Sequence, residues 1–205
     1  MILAHVGGRL FAVYVDHHDF GRLAKLWDFF DRVEELHYAH DGIEELTLFI
    51  ASLGPAPNLK MLYLQPELAT GQIPAAVTRL PLIFSGCLPS LLNVTFSNTI
   101  ACPAGLFKDL VSFECGASEQ NPVSAYHALG VLQCSPSIEF LRLVGVSRSP
   151  DSIVSPVVDL PSLAKCTLSG SGTNSLIRFI IVTRDRYCVS QQIPHWRGVF
   201  LPKAQ

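Results

Sequence analysis

Charged residues are scarce in this chain of 205 residues. Asp, Glu, Lys and Arg together make up only 16% of it, and the formal net charge is -2. No dense run of Lys and Arg occurs, so strong binding to phosphate groups has no electrostatic basis and we expect no nucleic acid partner. Apolar residues, at 49%, are abundant enough to exclude a disordered chain, because they offer ample surface to bury.

Signals for membranes and secretion are also missing. No apolar run reaches the roughly 20 residues that a membrane-spanning helix needs. Residues 1–15 lack the basic flank, apolar core and small-residue cleavage site of a signal peptide. We therefore predict a cytoplasmic or nuclear location and no membrane partner.

The usual catalytic motifs do not occur. The sequence has no Walker loop and no Gly-x-Gly-x-x-Gly, and Ser169-Gly170-Ser171-Gly172 is not a nucleophile elbow. None of the six cysteines lies in a Cys-x-x-Cys pair, which favours buried thiols in a reducing compartment over a zinc or redox motif. We predict no cofactor and no enzymatic activity. A small α/β enzyme with a Cys or Ser nucleophile is the alternative, because folding alone can bring a Cys to a His.

The seven histidines raise the question of a metal site. The closest groupings are His17-His18 and His37 with His40, and the carboxylate of Asp41 lies beside the second. No His-x-x-x-His falls on a predicted helix and no cysteine pair accompanies these residues. We interpret them as exposed loop histidines and predict no metal.

What the chain does have is a repeated phrase. It reads Pro, Ser or Asn, apolar, two variable residues, apolar, one variable residue, apolar. The last two apolar residues alternate with period two, which is typical of a short strand with one buried face. Copies with the proline begin at Pro57, Pro89, Pro136 and Pro161. Weaker copies without it place their apolar residues at Leu10/Val13/Val15, Val33/Leu36/Tyr38 and Leu110/Phe113/Cys115.

This phrase matches the strand half of a leucine-rich repeat. Its first apolar positions are spaced by 19 to 32 residues, against about 20–29 in such repeats. We predict an α/β leucine-rich-repeat solenoid with parallel strands on the concave face and helices and loops on the convex side. Residues 1–182 are expected to form about seven irregular repeats, and residues 183–205, which lack the phrase, a C-terminal tail or cap.

The segments that return the chain between strands are predicted from apolar residues at helical spacing. Helices are expected over 22–31, 43–53 and 125–134 and after a cap at Thr173, with a surface loop over 147–156. Their apolar stripes are Leu23/Leu26/Trp27/Phe30, Ile43/Leu46/Ile50, Tyr126/Leu129/Leu132 and Leu176/Phe179/Ile180.

The variable residue between the last two apolar positions of each copy is predicted to point away from the core. Because neighbouring strands align, these residues should form a row on the concave face. Aromatic groups and charges of both signs suit a protein partner better than a polyanion; an ordinary solvated sheet face is the alternative interpretation. The predicted binding residues are Tyr14, His37, Tyr63, Thr95, Glu114, Arg142 and Thr167, beside a second row of Ala12, Glu35, Met61, Asn93, Ser112, Phe140 and Lys165.

Several segments carry a resemblance to a known family. They are the Leu-Pro-Ser-Leu and Pro-Ser-Ile lead-ins, residues 157–163, the turn at 168–172 and the Phe-Phe-Asp-Arg-Val-Glu-Glu-Leu segment at 29–36. Over residues 10–182 the chain resembles the leucine-rich region of F-box proteins that are abundant in mushroom-forming fungi. The resemblance implies that the repeats present a substrate to a cullin-type ubiquitin ligase. It implies binding to the ligase adaptor only if an F-box lies upstream, since no F-box-like helix pair precedes the first repeat here.

The sequence thus predicts a protein-interaction module with a protein partner that it does not name. A non-functional truncated gene product is a further alternative, because the sequence starts abruptly within a repeat and ends without the repeat pattern.

Overall fold

A computed structural model describes residues 2–3, 11–15, 29–40, 43–66, 78–79, 84, 88–97, 100–101, 107–116, 122–147, 157–182 and 188–189. These residues form an α/β structure with one large, mainly parallel sheet. The helices are α1 (Ile43–Ser52), α2 (Ala125–Gln133) and α3 (Thr173–Ile177). The strands are β1 (Ile2–Leu3), β2 (Phe11–Val15), β3 (Val33–His40), β4 (Met61–Pro66), β5 (Thr78–Arg79), β6 (Asn93–Ser97), β7 (Ile100–Ala101), β8 (Ser112–Gly116), β9 (Val123–Ser124), β10 (Phe140–Val144), β11 (Val146–Ser147), β12 (Val158–Asp159), β13 (Lys165–Leu168), β14 (Ile180–Ile181) and β15 (Cys188–Val189).

The strands of the large sheet lie side by side in the order in which the chain makes them. The order is β1-β2-β3-β4-β6-β8-β10-β13-β15. Strands β1 and β2 pair antiparallel, and every later pair in this sheet is parallel. The remaining strands form two-residue parallel ladders, β5 with β7, β9 with β11 and β12 with β14. Each copy of the phrase therefore adds one strand beside the previous copy.

Each Pro-Ser or Pro-Asn pair forms the corner of a β-turn that leads into a strand. The N–H of the residue after the pair donates to the carbonyl of the residue before it, as Leu59 does to Ala56 at 3.3 Å. The same bond joins Leu91 to Leu88, Ile138 to Ser135 and Leu163 to Leu160. Proline suits the second position of such a turn because its ring holds φ at about −65°. The recurring proline thus has a local structural cause.

Hydrogen bonds tie each turn to the preceding copy. After the turn at Pro89, the N–H groups of Leu92 and Asn93 both donate to the carbonyl of Lys60, each at 2.9 Å. The same shared acceptor recurs for Val111 and Ser112 on Leu92, for Glu139 and Phe140 on Val111, and for Ala164 and Lys165 on Glu139. Neighbouring strands are therefore aligned from their first residues.

The inward residues of the phrase form the core. In every described copy the three apolar positions are at most 4% exposed, and the predicted inward register is confirmed. Leu62, for example, pairs in register with Leu36 on one side and Val94 on the other. Leu10, the first position of the first copy, lies outside the described residues.

Helix α1 packs under the start of the sheet. It spans Ile43–Ser52, close to the predicted 43–53. Phe49, which the predicted stripe did not include, is fully buried and stacks on Tyr38 with ring centroids 3.7 Å apart. The Tyr38 hydroxyl, otherwise buried among apolar groups, donates to Glu45 Oε1 at 2.8 Å. This bond gives the buried Tyr38 hydroxyl a hydrogen-bond partner, as buried polar groups require.

Helix α2 forms where predicted but buries a different stripe. It spans Ala125–Gln133, one residue short of the expected end. Leu129 and Leu132 are buried as expected, whereas Tyr126 is 53% exposed, so its predicted place in the stripe is wrong. The buried residues are Ala125, Ala128, Leu129, Val131 and Leu132. Tyr126 follows Ala125 by one residue, and the turn of about 100° per residue carries it away from this face.

Helix α3 is shorter than predicted. It spans only Thr173–Ile177, and its N-cap residue is Gly172, so the expected cap at Thr173 is wrong. The Thr173 hydroxyl instead donates to the Gly170 carbonyl at 2.9 Å. Ile180, predicted to lie in the helix, begins β14 and pairs with Val158. The β-branched run Ile180-Ile181-Val182 favours extended backbone, which accounts for the early end of the helix.

Other expectations meet the described residues only in part. Of the helix predicted over 22–31, the described residues 29–31 belong to a 3₁₀ turn over 29–32. Of the loop predicted over 147–156, all but Ser147 lies outside the described residues. In the segment 183–205, β15 continues the large sheet by pairing with β13. No helix in the described part of the chain is long and apolar enough to cross a membrane.

Candidate protein-binding face

The seven predicted binding residues form one row across the sheet. Strand pairing sets Tyr14 opposite His37 and His37 opposite Tyr63. It continues through Thr95, Glu114, Arg142 and Thr167. We call this the outer row. The second predicted row is likewise in register, from Ala12 through Glu35, Met61, Asn93, Ser112 and Phe140 to Lys165.

The outer row lies on the outward face because alternate residues of a strand point to opposite faces of the sheet, and its members are half-buried or exposed. On β10, Leu141 and Leu143 are buried, whereas Phe140 is 45% exposed and the Arg142 side chain 59%. The row also extends one strand further than predicted, since Val189 of β15 pairs with Thr167. Residues 183–205 carry no copy of the phrase, so no sequence pattern predicts this strand.

Three rings stack at the start of the outer row. The centroids of Tyr14 and His37 lie 4.3 Å apart with an interplanar angle of 18°. Those of His37 and Tyr63 lie 4.2 Å apart, only 6° from parallel. We call Tyr14, His37 and Tyr63 the aromatic ladder. Each stacked pair is worth about 0.5–1.5 kcal/mol beyond its burial, so the ladder holds the three side chains in fixed orientations.

Carboxylates surround the ladder. Glu35 Oε2 lies 3.6 Å from His37 Nε2, a nitrogen that is itself buried and has no hydrogen-bond partner among the described residues. Burial, together with the nearby charges of Glu35 and Glu114, raises the pKa of the Tyr63 hydroxyl above its ordinary value of 10.0. Both carboxylates thus act on Tyr63, one from β3 and one from β8. This end of the face is aromatic and acidic.

The other end of the face carries basic and apolar groups. Arg142 Nη1 lies 3.5 Å from Glu114 Oε2, with both side chains well exposed. Exposed Lys165 follows on β13 and pairs in register with Phe140, whose exposed ring lies two residues before Arg142 on β10. A second exposed ion pair, between Lys60 and Glu34, lies at the strand entrances near the ladder. The two ends of the face therefore differ in charge.

Short polar side chains separate the two ends. Asn93 and Thr95 lie on β6, and Ser112 lies beside Asn93 on β8. They are flanked by the ring of Tyr63 on one side and by the Glu114–Arg142 pair on the other. We call the position above Asn93, Thr95 and Ser112, where these short side chains lie between longer ones, the central notch. Neighbouring strands lie about 4.8 Å apart, and β6 lies between the strands of Tyr63 and Glu114, so the backbones of these two residues are about 10 Å apart.

The chemistry open to the described residues is limited. Burial raises the pKa of the Cys115 thiol, on the inward side of the sheet, to about 12, so this cysteine is held in its unreactive thiol form. Cys134 is also a free thiol. Within the described part of the chain, no three His, Cys, Asp or Glu side chains are grouped to hold a metal ion. His37 and His40 lie on β3 and His40 is only 4% exposed, so their interpretation as exposed loop histidines is wrong. His17 and His18 lie outside the described residues.

Comparisons with protein-family models, curated proteins and solved structures find no match for the chain. Its function is therefore inferred from its own residues.

Two features of the face escaped sequence reasoning. The ladder follows from Tyr14, His37 and Tyr63 being successive members of one row, so the row itself held the signal. The notch follows from small residues meeting at the same place in both rows, which becomes visible only when the two rows are read together. Both features depend on the order of side chains along the rows, which the composition of the face does not reveal.

Proposed function

We propose that this chain is a leucine-rich-repeat solenoid whose outward sheet face binds a protein. The observation that carries the proposal is the outer row, in which one outward-pointing side chain from each strand lies in register with the next. Supporting the repeat class are the chain-ordered parallel strands, the proline turns and the buried apolar positions of every described copy.

The composition of the face favours a protein over other partners. Tyr14, Tyr63, Phe140 and Arg142 are of the types enriched where proteins meet, because they bury large areas and also offer directional polar contacts. Acidic groups occur beside the basic ones, so a polyanion would meet repulsion at the ladder end. The fixed rings of the ladder lose little conformational freedom on binding, which favours affinity.

The cellular setting is part of the same proposal. Free thiols at Cys115 and Cys134 fit the reducing cytoplasm or nucleus. We propose coupling to the adaptor of a cullin-type ubiquitin ligase only for a longer protein in which an F-box precedes these repeats. The sequence encoded upstream of Met1 tests that extension, and the absence of an in-frame F-box there would remove it.

A peptide-display selection tests the binding proposal. Short random peptides are selected on the purified chain, and the affinity of the enriched peptides is then measured for Tyr63→Ala and Arg142→Ala. We expect each substitution to weaken binding, the first by about tenfold or more, as for a central interface aromatic. Tyr126→Ala is the matched control, since this tyrosine is also exposed but lies on α2.

The control variant should bind the selected peptides as the unmodified chain does. Peptides that bind equally well to Tyr63→Ala and Arg142→Ala but lose affinity for Tyr126→Ala would place the binding surface elsewhere and contradict the proposal.

A further inference from the structure

The aromatic ladder stops abruptly at the central notch. Its rings stack nearly parallel on successive strands, at steps of 4.3 and 4.2 Å. These steps are close to the spacing between strands, so the ring normals run roughly along the row. One face of Tyr63 is therefore covered by His37, and the other is turned toward Thr95 on β6. The threonine side chain is too short to continue the stack.

A planar group placed above Thr95 would form the fourth layer of the ladder. The space is bounded by the free face of Tyr63 and, one strand beyond, by the carboxylate of Glu114. The distance of about 10 Å between the backbones of these two residues accommodates one flat group in stacking contact with the ring. Its floor, made by Asn93, Thr95 and Ser112, offers hydroxyl and amide groups to the edge of such a group.

The charge around this position selects a cation. Glu114 lies on its far side, and Glu35 lies beside the ladder on its near side. Burial is the largest cause of the raised pKa of the Tyr63 hydroxyl, and Glu35 and Glu114 raise it further, which agrees with a negative potential at the ring. A cation over the face of a tyrosine is attracted by the ring as well as by these charges.

The guanidinium of Arg142 contacts Glu114 from β10, on the side of β8 away from the central notch. It contacts only Oε2, at 3.5 Å, and both side chains are well exposed. An exposed pair of this kind is weak, and a carboxylate has acceptor capacity on both oxygens. Glu114 can thus accept a second guanidinium from the notch without losing the first.

From this geometry we infer that the central notch binds an arginine side chain of the partner protein. The guanidinium stacks on the free face of Tyr63 and donates hydrogen bonds to Glu114. Lysine is a poorer occupant, because its ammonium is a compact, strongly hydrated charge that cannot continue a stack of planar groups. The inference rests on the proposed function and adds the chemistry of the partner to it.

A titration with N-acetyl-arginine amide tests the inference on the unmodified chain. Backbone amide shifts followed by nuclear magnetic resonance should move saturably at Asn93, Thr95, Ser112 and Glu114. The uncharged isostere N-acetyl-citrulline amide should bind roughly tenfold more weakly, the loss expected for one cation–π contact together with one exposed ion pair. N-acetyl-lysine amide should also bind more weakly than the arginine compound. Equal shifts from the citrulline compound, or no shifts at these residues, would overturn the inference.

Two substitutions locate the contact. Glu114→Gln should weaken binding of the arginine compound by about twofold to fivefold, as the loss of an exposed ion pair does, whereas Glu139→Gln, which removes an exposed carboxylate at the entrance of β10, should not change it. If both variants bind equally well, the assigned contact is wrong.

The display selection separates failure of this inference from failure of the proposed function. Peptides that bind the outer row but contain no common arginine, or tolerate its replacement by citrulline, would refute the arginine site and leave the binding face intact. Peptides that ignore the outer row altogether would refute the proposed function itself.

Discussion

Substitution of Leu141 probes the stacked core at its centre. Leu141 is 2% exposed and lies on β10 between Phe113 on β8 and Cys166 on β13. Truncating such a leucine to alanine removes apolar contact and leaves a cavity, at a cost of about 2–5 kcal/mol. A domain of this kind is stable by only about 5–15 kcal/mol. Leu141→Ala should therefore remove a large fraction of the free energy of unfolding and leave a protein that still folds.

Urea unfolding followed by circular dichroism measures this loss. With a slope of about 2 kcal/mol per molar urea, the midpoint should fall by about 1–2.5 M. Arg142→Ala is the matched control, because Arg142 is the next residue in the sequence, points to the other face of the sheet and forms an exposed ion pair. The free energy of unfolding should change by no more than about 0.5–1 kcal/mol in this variant.

The Leu141→Asp variant is a stronger test of the same inward register. An aspartate here would bury a charge among apolar groups and abolish cooperative unfolding. A soluble Leu141→Asp variant with an unchanged midpoint, or a larger loss from Arg142→Ala than from Leu141→Ala, would refute the inward register.

Further predictions concern other parts of the chain. Gly170→Ala should destabilise the protein by more than about 2 kcal/mol in urea unfolding, because at φ +116° the new Cβ would lie 2.4 Å from the backbone nitrogen of Val146. Gly54→Ala is the control and should cost little, since a Cβ there meets open space. Equal losses of stability in the two variants would contradict the close approach at Gly170. The pKa of Cys115 is raised from 9.0 to about 12, so its contribution to stability should be complete below pH 9 and fall by about 1.4 kcal/mol per pH unit from pH 9 to 12. Cys115→Val should show a shallower decline over that range, and an identical pH profile would count against burial of the thiol. His37→Ala should lower the free energy of unfolding by about 1–3 kcal/mol through loss of two stacked pairs, whereas an unchanged urea midpoint would mean that the ladder does not stabilise the fold.

The strands could be predicted from the sequence because their signal is local. A proline at the corner of a turn and apolar residues with period two fix where each strand begins and which residues point inward, as at Leu59, Leu62 and Leu64. Register followed from aligning the copies, since each begins with the same turn. The sequence alone therefore predicts the outer row residue by residue.

The return segments were predicted less well because their signals are weaker. Tyr126 fits a helical stripe by spacing, but its position is decided by which side of α2 faces the sheet. Ile180 fits a helix by spacing too, yet its β-branched neighbours and its pairing with Val158 place it in a strand. Strand β15 has no phrase at all and depends on the pairing edge that β13 offers. In each case a tertiary contact outweighed the local pattern.

Backbone nuclear Overhauser effects between neighbouring strands test most directly whether the outer row exists. Parallel strands in chain order predict contacts between the amide regions of Tyr63 and Thr95, Thr95 and Glu114, and Glu114 and Arg142. Contacts that join Tyr63 directly to Arg142, or that pair β6 with a strand other than β4 and β8, would contradict the row and the binding face built on it.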